Sequence, residues 1–431
     1  MALFWNFSGM DALLRACLSK KRERFPNKHL HVIAAFAPKR EVRRFAANRK
    51  CAQMPGGRAI RICVDAREFM GSRKTGIGRH AENLLRPLLN EPGLDWVFCA
   101  HDNGLLPASI RDSAARCVRL PAAPTPFVDQ VALPRIAARE RADVLFSPYY
   151  KTPLFGPFRK IVTVHDIMFL KLPEFSAWRR AVSALQLRLA VARADLILVD
   201  SVFTRQELCA FLPAIARKTE TLYPCLDPGW GGGAGEGDAE TVRGRFAQGR
   251  PFLLYAGNFK PHKNVRLLVE VFLDMTRDGE TANRMLLLAG GDPRHMPEIE
   301  ARVADGGGGN DVRLLRDIGD DTLQALYRAA DWTVTLSAYE GFGYPVVEAM
   351  ACGCPVLCHP NTSLKEIAAG CALSVPRLDP PGVREGLRAA LALAPNERAA
   401  LIARGRENAI RFLDGSTPRA FLAHLERLTG T

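Results

Sequence analysis

The stretch SAYEGFGYPVVEAMACGCPV, Ser337 to Val356, follows the apolar run Trp332 to Leu336 and carries two carboxylates, Glu340 and Glu348, with seven residues between them. Gly341-Phe342-Gly343 reads as a turn and Pro345 as the first position of a helix, where a missing N–H costs nothing. A short apolar strand, a glycine turn and a helix, in that order, form the unit of a parallel α/β sheet. Unpaired N–H groups at such a helix start accept phosphate oxygens. Carboxylates beside them accept hydrogen bonds from hydroxyl groups. A lone Glu between glycines more often does no more than cap a helix. Two of them framing a glycine turn and a helix start make a local device for an anionic, hydroxyl-rich ligand.

The same unit recurs along the chain. Strands are expected at Ala59–Val64, Trp96–Ala100, Val144–Phe146, Ile161–Val164 and Leu196–Val199, with helices near Arg79–Leu89, Ser176–Arg193 and Arg205–Phe211. The glycine-dense PGWGGGAGEGD, Pro228 to Asp238, then reads as a linker, and the alternation restarts. Strands follow at Phe252–Tyr255, Met285–Ala289, Val312–Leu315 and Trp332–Leu336, with helices at Val265–Asp274, Thr322–Ala330 and Thr417–Leu428. The expected organisation is an extension at 1–57, a Rossmann-like domain at 58–235, a second at 236–410 and a terminal helix at 411–431 returning to the first domain. Open parallel sheets bind ligands at the carboxyl ends of their strands, so both domains are expected to face one cleft.

A chain of 431 residues suits two domains, and 48% hydrophobic with 24% charged residues is an ordinary globular composition. No stretch of about 18 apolar residues marks a transmembrane helix. Eleven scattered cysteines lack zinc-site spacing and read as buried thiols of a reducing compartment. The net charge of +14 is uneven, since residues 1–53 hold twelve Lys/Arg against three Asp/Glu. The body is therefore only mildly basic, and nucleic acid is not an expected partner. The basic segment has three readings. It is a tail attracted to anionic lipid, a targeting segment without the apolar core of a signal peptide, or translated sequence ahead of a start at Met54.

Beside Glu340 and Glu348, five further motifs stand out, three of them with candidate chemistry. YAGNFKPHKN, Tyr255 to Asn264, offers Asn258 and Lys263 at a strand end, with Lys260 and His262 beside them. VTVHDIMFL, Val162 to Leu170, places His165 and Asp166 at the end of a buried strand, where Asp166 either orients the imidazole or caps the turn. GIGRH offers the amides of Gly76 and Gly78 in a loop and Arg79 at a helix start. DSVFTRQEL, Asp200 to Leu208, reads as a helix cap at Ser201. CHPNTSLKEI, Cys358 to Ile367, is assigned no chemistry. Asp320-Asp321 also reads as a cap.

The Ser337–Val356 run resembles the signature of glycosyltransferase family 4, the retaining group 1 transferases, and the other motifs follow in the family's order over about residues 59–430. The resemblance implies a GT-B fold and transfer of a hexose from a nucleotide sugar to a hydroxyl. Glu340 would contact the donor sugar, Glu348 the ribose, and Lys263, Asn258 and the Gly341, Phe342 and Gly343 segment the diphosphate. His165 would approach the transferred sugar, and Gly76, Gly78 and Arg79 would frame the acceptor side. The resemblance implies no metal or other cofactor. The chain departs from the family's pattern at Asn258 and His262, where arginines are common. The motifs look most like bacterial mannosyltransferases of O-antigen and exopolysaccharide synthesis. That implies GDP-mannose, a saccharide or lipid-linked acceptor, and a cytoplasmic place of action at the inner membrane face. Rival readings are a nucleotide-sugar epimerase of the same fold, a sugar phosphorylase, and a catalytically weakened binding or scaffold subunit.

Overall fold

The computed structural model describes residues 58–71, 75–123, 125–231 and 239–430. The basic extension, 1–57, and the end of the glycine-dense linker, 232–238, lie outside the described residues.

Among the described residues, two parallel sheets organise the chain. The first has the order β3-β2-β1-β4-β5-β6-β7 and the second β10-β9-β8-β11-β12-β13. In the first, β1 is Ile60–Asp65, β2 Leu94–Ala100, β3 Arg116–Arg119, β4 Val144–Ser147, β5 Arg159–Val164, β6 Leu196–Val199 and β7 Thr219–Thr221. In the second, β8 is Phe252–Gly257, β9 Met285–Gly290, β10 Val312–Leu315, β11 Trp332–Thr335, β12 Val356–Cys358 and β13 Leu373–Ser374. Every pairing is parallel. The strand order reverses between β1 and β4 and again between β8 and β11. Those are the switch points where ligands of doubly wound sheets sit.

Side-chain alternation builds the layers. In β1, Ile60, Ile62 and Val64 enter one core and Cys63 the opposite one. In β8, Phe252, Leu254 and Ala256 face one core, Leu253 and Tyr255 the other. The helices that place the site are α1 (Gly76–Leu85), α2 (Ala177–Arg193), α3 (Val202–Phe211), α4 (Val265–Arg277), α5 (Asp320–Ala329), α6 (Tyr344–Ala351) and α7 (Ser416–Thr429). α1 starts three residues earlier than its sequence suggests, because Thr75 caps it by accepting the Gly78 N–H at 3.0 Å. α5 is preceded by Gly319, which provides no side-chain cap, so Asp320 and Asp321 stand in its first turn instead of capping it.

α7 leaves the second sheet and buries Phe421 and Leu425 among Ile60, Phe146 and Leu198 of the first. The Phe421 and Phe146 rings lie 5.0 Å apart. Phe421→Ala is expected to cost about 3–5 kcal/mol, read as an earlier urea midpoint; a midpoint equal to wild type would show that α7 adds no packing energy.

Candidate functional site

The segment after β11 brings the two sheets' loops into contact. A Cβ built on Gly341 would lie 2.1 Å from the His165 carbonyl oxygen of the first domain, so only glycine fits between the two backbones. Gly343 precedes α6 with φ +106, and its Cβ would meet Leu364 at 2.4 Å. Tyr344 is the first helical residue, which moves Pro345 to the second. Phe342, expected to offer its backbone amide to the donor, packs its ring into the second domain's core, with ring contacts to Tyr344 at 5.2 Å and Phe412 at 5.4 Å. Its aromatic ring needs burial more than a ligand, so only its backbone is left to the site.

The two carboxylates are each held by a cation. Lys263 Nζ donates to Glu340 Oε1, and Ser337 Oγ donates to the same oxygen at 2.7 Å. Arg79 Nη1 donates to Glu348 Oε1, while its other arm donates to Asp320 Oδ1 at 2.7 Å. The Tyr327 hydroxyl from α5 donates to Glu348 Oε2 at 3.1 Å. Glu348 is only 2% exposed. Burial pushes its carboxyl up, against the downward pull of Arg79 and the Tyr327 hydrogen bond. Burial opposes the charge on Arg79, but Glu348 and Asp320 outweigh it and raise the guanidinium above its ordinary value. Arg79, expected on the acceptor side, is thus tied across the cleft to the residue expected to hold ribose. Gly76 and Gly78, expected in a loop with open amides, sit in the first turn of α1. The Gly78 amide is spent on Thr75, and a Cβ at Gly78 would lie 2.8 Å from the Glu68 carbonyl oxygen.

The loop after β8 is stitched to the loop after β11. Ala338 N–H donates to the His262 carbonyl at 2.7 Å, and Asn264 Nδ2 donates to the Leu336 carbonyl at 2.8 Å. Asn258 shapes this loop: its side chain accepts the Lys260 N–H at 3.2 Å and its carbonyl accepts the Tyr255 hydroxyl at 2.5 Å. His262 is buried, with Nδ1 2.9 Å from Glu174 Oε1. Burial, then the nearby Lys263 charge, lower its pKa, with Glu174 pulling the other way. A neutral His262 adds no fixed charge where an arginine would.

His165 Nδ1 lies 2.7 Å from Asp200 Oδ2, and Nε2 lies 2.8 Å from the Pro148 carbonyl oxygen. A carbonyl only accepts, and an ionised carboxylate only accepts. Both ring nitrogens therefore carry a hydrogen, and His165 is an imidazolium. Burial works against that charge, but Asp200 outweighs it and lifts the pKa to about 9. Asp166 does not orient the ring; it accepts the Met168 N–H at 3.0 Å and caps the turn. Asp200 does the orienting. The parallel register of Val164 with Val199 sets the two residues side by side at the ends of β5 and β6. The Thr204 hydroxyl of α3 points at both the His165 and Gly341 carbonyls, at 3.3 and 3.4 Å. His80 of α1 meets the His165 ring edge-on at 5.3 Å. His80 is buried without a partner for Nδ1 among the described residues, and burial lowers its pKa to about 4.

Residues 74–230 match the family model Glycosyltransferase Family 4, and residues 238–408 match Glycosyl transferases group 1. The chain belongs to the group 1 glycosyltransferases of family 4. O-antigen chain mannosyltransferase B of Escherichia coli is 29% identical over 217 residues, 50% of this chain and 56% of that protein. D-inositol 3-phosphate glycosyltransferase of Saccharomonospora viridis is 30% identical over 256 residues, 54% of this chain and 55% of that protein. The chain spans about half the length of the curated relatives it matches. The fold is GT-B: the crystal structure of Anabaena HepE with UDP and glucose superposes with a TM-score of 0.69 at 17% identity, covering 86% of this chain and 100% of that one. WaaG, a glycosyltransferase involved in lipopolysaccharide biosynthesis, gives 0.64 at 18% identity, covering 86% and 100%.

Two neighbouring histidines of this chain have their pKa values shifted in opposite directions. The folded pKa of His165, about 9, is above the unfolded value of about 6.5, so its stabilisation is complete below pH 6.5 and is lost as pH rises through 9. That of His80, about 4, is below the unfolded value, so its contribution is complete above pH 6.5 and is lost as pH falls through 4. The melting temperature is expected to fall on both sides of about pH 6.5. Asp200→Asn should flatten the alkaline side and His80→Gln the acidic side; a variant with unchanged slope on its side would refute that assignment.

Proposed function

We propose that the chain is a retaining glycosyltransferase that moves a hexose from a nucleotide-sugar donor to a hydroxyl of a saccharide or lipid-linked acceptor. The observation that carries this reading is the pair of buried carboxylates, Glu340 ahead of α6 and Glu348 within it, each held by a cation. In this reading ribose hydroxyls take the place of Arg79 on Glu348, and donor-sugar hydroxyls take the place of Lys263 on Glu340. The two released cations, with the amides of Gly341, Phe342 and Gly343, then face the diphosphate. Lys263 and Arg79 offset the charge that grows on the leaving nucleoside diphosphate, so the reading routes no step through a metal.

The transfer is proposed to occur on one face of the sugar. The bond from the anomeric carbon to the phosphate oxygen breaks, the bond to the acceptor oxygen forms, and the acceptor proton passes to the departing phosphate. Glu340, already bonded to Lys263 and Ser337, acts as a binder of the donor sugar, not a nucleophile. A covalent glycosyl-enzyme trapped on Glu340 would overturn this route. Mannose from GDP-mannose is the donor favoured by the E. coli relative's name, and UDP-glucose is the competitor suggested by the HepE complexes. The acceptor is proposed to belong to cell-surface polysaccharide synthesis at the cytoplasmic face of the membrane. A weakened sugar-nucleotide-binding subunit is the second reading, favoured by the charge lost at Asn258 and the neutral His262; turnover separates the two.

Thermal stabilisation by a panel of sugar nucleotides tests the donor site. A donor at about 100 times its dissociation constant adds roughly 2.7 kcal/mol. One donor is expected to raise the melting temperature of the wild type and to leave Glu348→Gln unmoved. A folded wild type that no sugar nucleotide stabilises would overturn the proposal.

A further inference from the structure

The helix α3 starts without a carboxylate of its own. Ser201 caps it by accepting the Thr204 N–H at 3.0 Å, but its first turn holds no acidic residue. The N–H groups of Val202 and Phe203, at the first two helical positions, have no acceptor inside the helix. The second domain supplies one. The Phe203 N–H donates to Glu366 Oε1 at 3.4 Å, and the Val202 N–H is turned to the same carboxylate. A carboxylate beside two helix-start amides satisfies their hydrogens and meets the positive end of the helix dipole. Burial raises the Glu366 carboxyl above its ordinary value, and the two amides pull it back down.

Glu366 lies on the short helix Thr362–Ala368, in the motif to which the sequence assigned no chemistry. This helix grips the segment that follows β11. The Ser363 hydroxyl points at both the Glu340 and Phe342 carbonyls, at 2.9 and 3.0 Å, and these two flank Gly341. Thr362 Oγ1 accepts the Glu340 N–H at 3.2 Å. The same segment meets α3 a second time. The Thr204 hydroxyl lies 3.4 Å from the Gly341 carbonyl, and the Tyr339 ring meets the Phe203 ring edge-on at 5.5 Å. The contacts form a closed circuit: α3 holds Glu366, the helix of Glu366 holds Glu340 and Phe342, and Gly341 between them rests on α3. His165 is tied into the circuit through its carbonyl, 3.3 Å from the Thr204 hydroxyl.

We propose that Glu366 is a positioning residue for the transfer: its carboxylate docks on the N-terminus of α3 and thereby holds the segment Tyr339–Phe342 against His165. It touches no reacting group and acts through the backbone of Glu340, the residue proposed to bind the donor sugar. The reaction it serves is that of the proposed function; the coupling between the two domains stands on the contacts alone. Lys263 and Glu348 are carried by the loop after β8 and by α6, which Glu366 does not touch, so donor affinity is expected to survive its loss better than rate.

Amide hydrogen exchange of the full chain reads the coupling without any substrate. In Glu366→Ala, residues 201–205 and 339–343 are expected to exchange faster together, by about tenfold. Glu366→Gln keeps a neutral acceptor and is expected to fall between Ala and wild type. Faster exchange confined to 201–205 would mark an ordinary helix cap and overturn the proposal, as would no change in either segment. Turnover is then measured well below the melting midpoints, with the donor that stabilises the wild type. Glu366→Ala is expected to lower kcat about tenfold while the donor KM stays within about twofold, and Glu366→Gln to recover part of the loss. An unchanged kcat with a raised donor KM would overturn the proposal. Coupled exchange in a chain whose wild type transfers no sugar would support the docking on α3 and count against the proposed function alone.

Discussion

Glu348 is a carboxylate held almost wholly out of water on α6, and a buried charge left unpaired costs several kcal/mol. Neither its own helix nor its own sheet supplies the cation. Tyr327 of α5 satisfies one oxygen, and the other is satisfied by Arg79, 269 residues away in the first domain. The pairing needs the two switch points to face each other. It also needs the backbones at Gly341 and His165 to come close enough that no side chain fits between them. One electrostatic demand thereby fixes how α1 approaches α6, and the residue type at position 341 follows from it.

On the proposed function, the same two ion pairs also bear on which ligands the site would take. Arg79 and Lys263 occupy oxygens that a diol would use. A ligand that brings hydroxyls and phosphates together restores both sets of bonds at once: hydroxyls to the carboxylates, phosphate oxygens to the cations. A neutral sugar supplies only the first set and would strand two cations. A free phosphate supplies only the second and would strand two buried carboxylates. If the proposed function holds, the internal ion pairs would discriminate against half-ligands by the cost of what each leaves unpaired.

Much of this was legible in the sequence, and the exceptions have physical causes. Apolar runs such as RICV and FLLY announce central strands because both faces are buried. β3 (RCVR) and β7 (TET) are edge strands with half-exposed patterns, so no periodicity reveals them. Gly76 and Gly78 suggest a loop by composition, yet Thr75 starts a helix there, and Gly78 is needed for contact with the Glu68 carbonyl. The role of Asp200 was within reach. Adjacent parallel strands in register put the residue after β6 beside the residue after β5, and only the pairing of β5 with β6 had to be assumed. The Arg79 to Glu348 bond was not within reach, because nothing local to either motif encodes the approach of two domains.

His80, His165 and His262 show how far a residue type falls short of a role. All three are largely buried and lie at or beside the cleft. His165 is charged because every acceptor around it demands a hydrogen: Asp200 on one side and the Pro148 carbonyl on the other. His80, a ring's width away, has no such acceptor at Nδ1 and stays neutral under the same burial. His262 has one carboxylate, Glu174, but also a lysine as its chain neighbour, and burial prevails. Burial pushes all three in the same direction, so the difference comes from partners alone. In this cleft the partners arrive from strand ends and from the opposite domain. The charge of His165 is therefore set within the first domain, by Asp200 and Pro148, whereas His262 meets its carboxylate, Glu174, from the opposite domain.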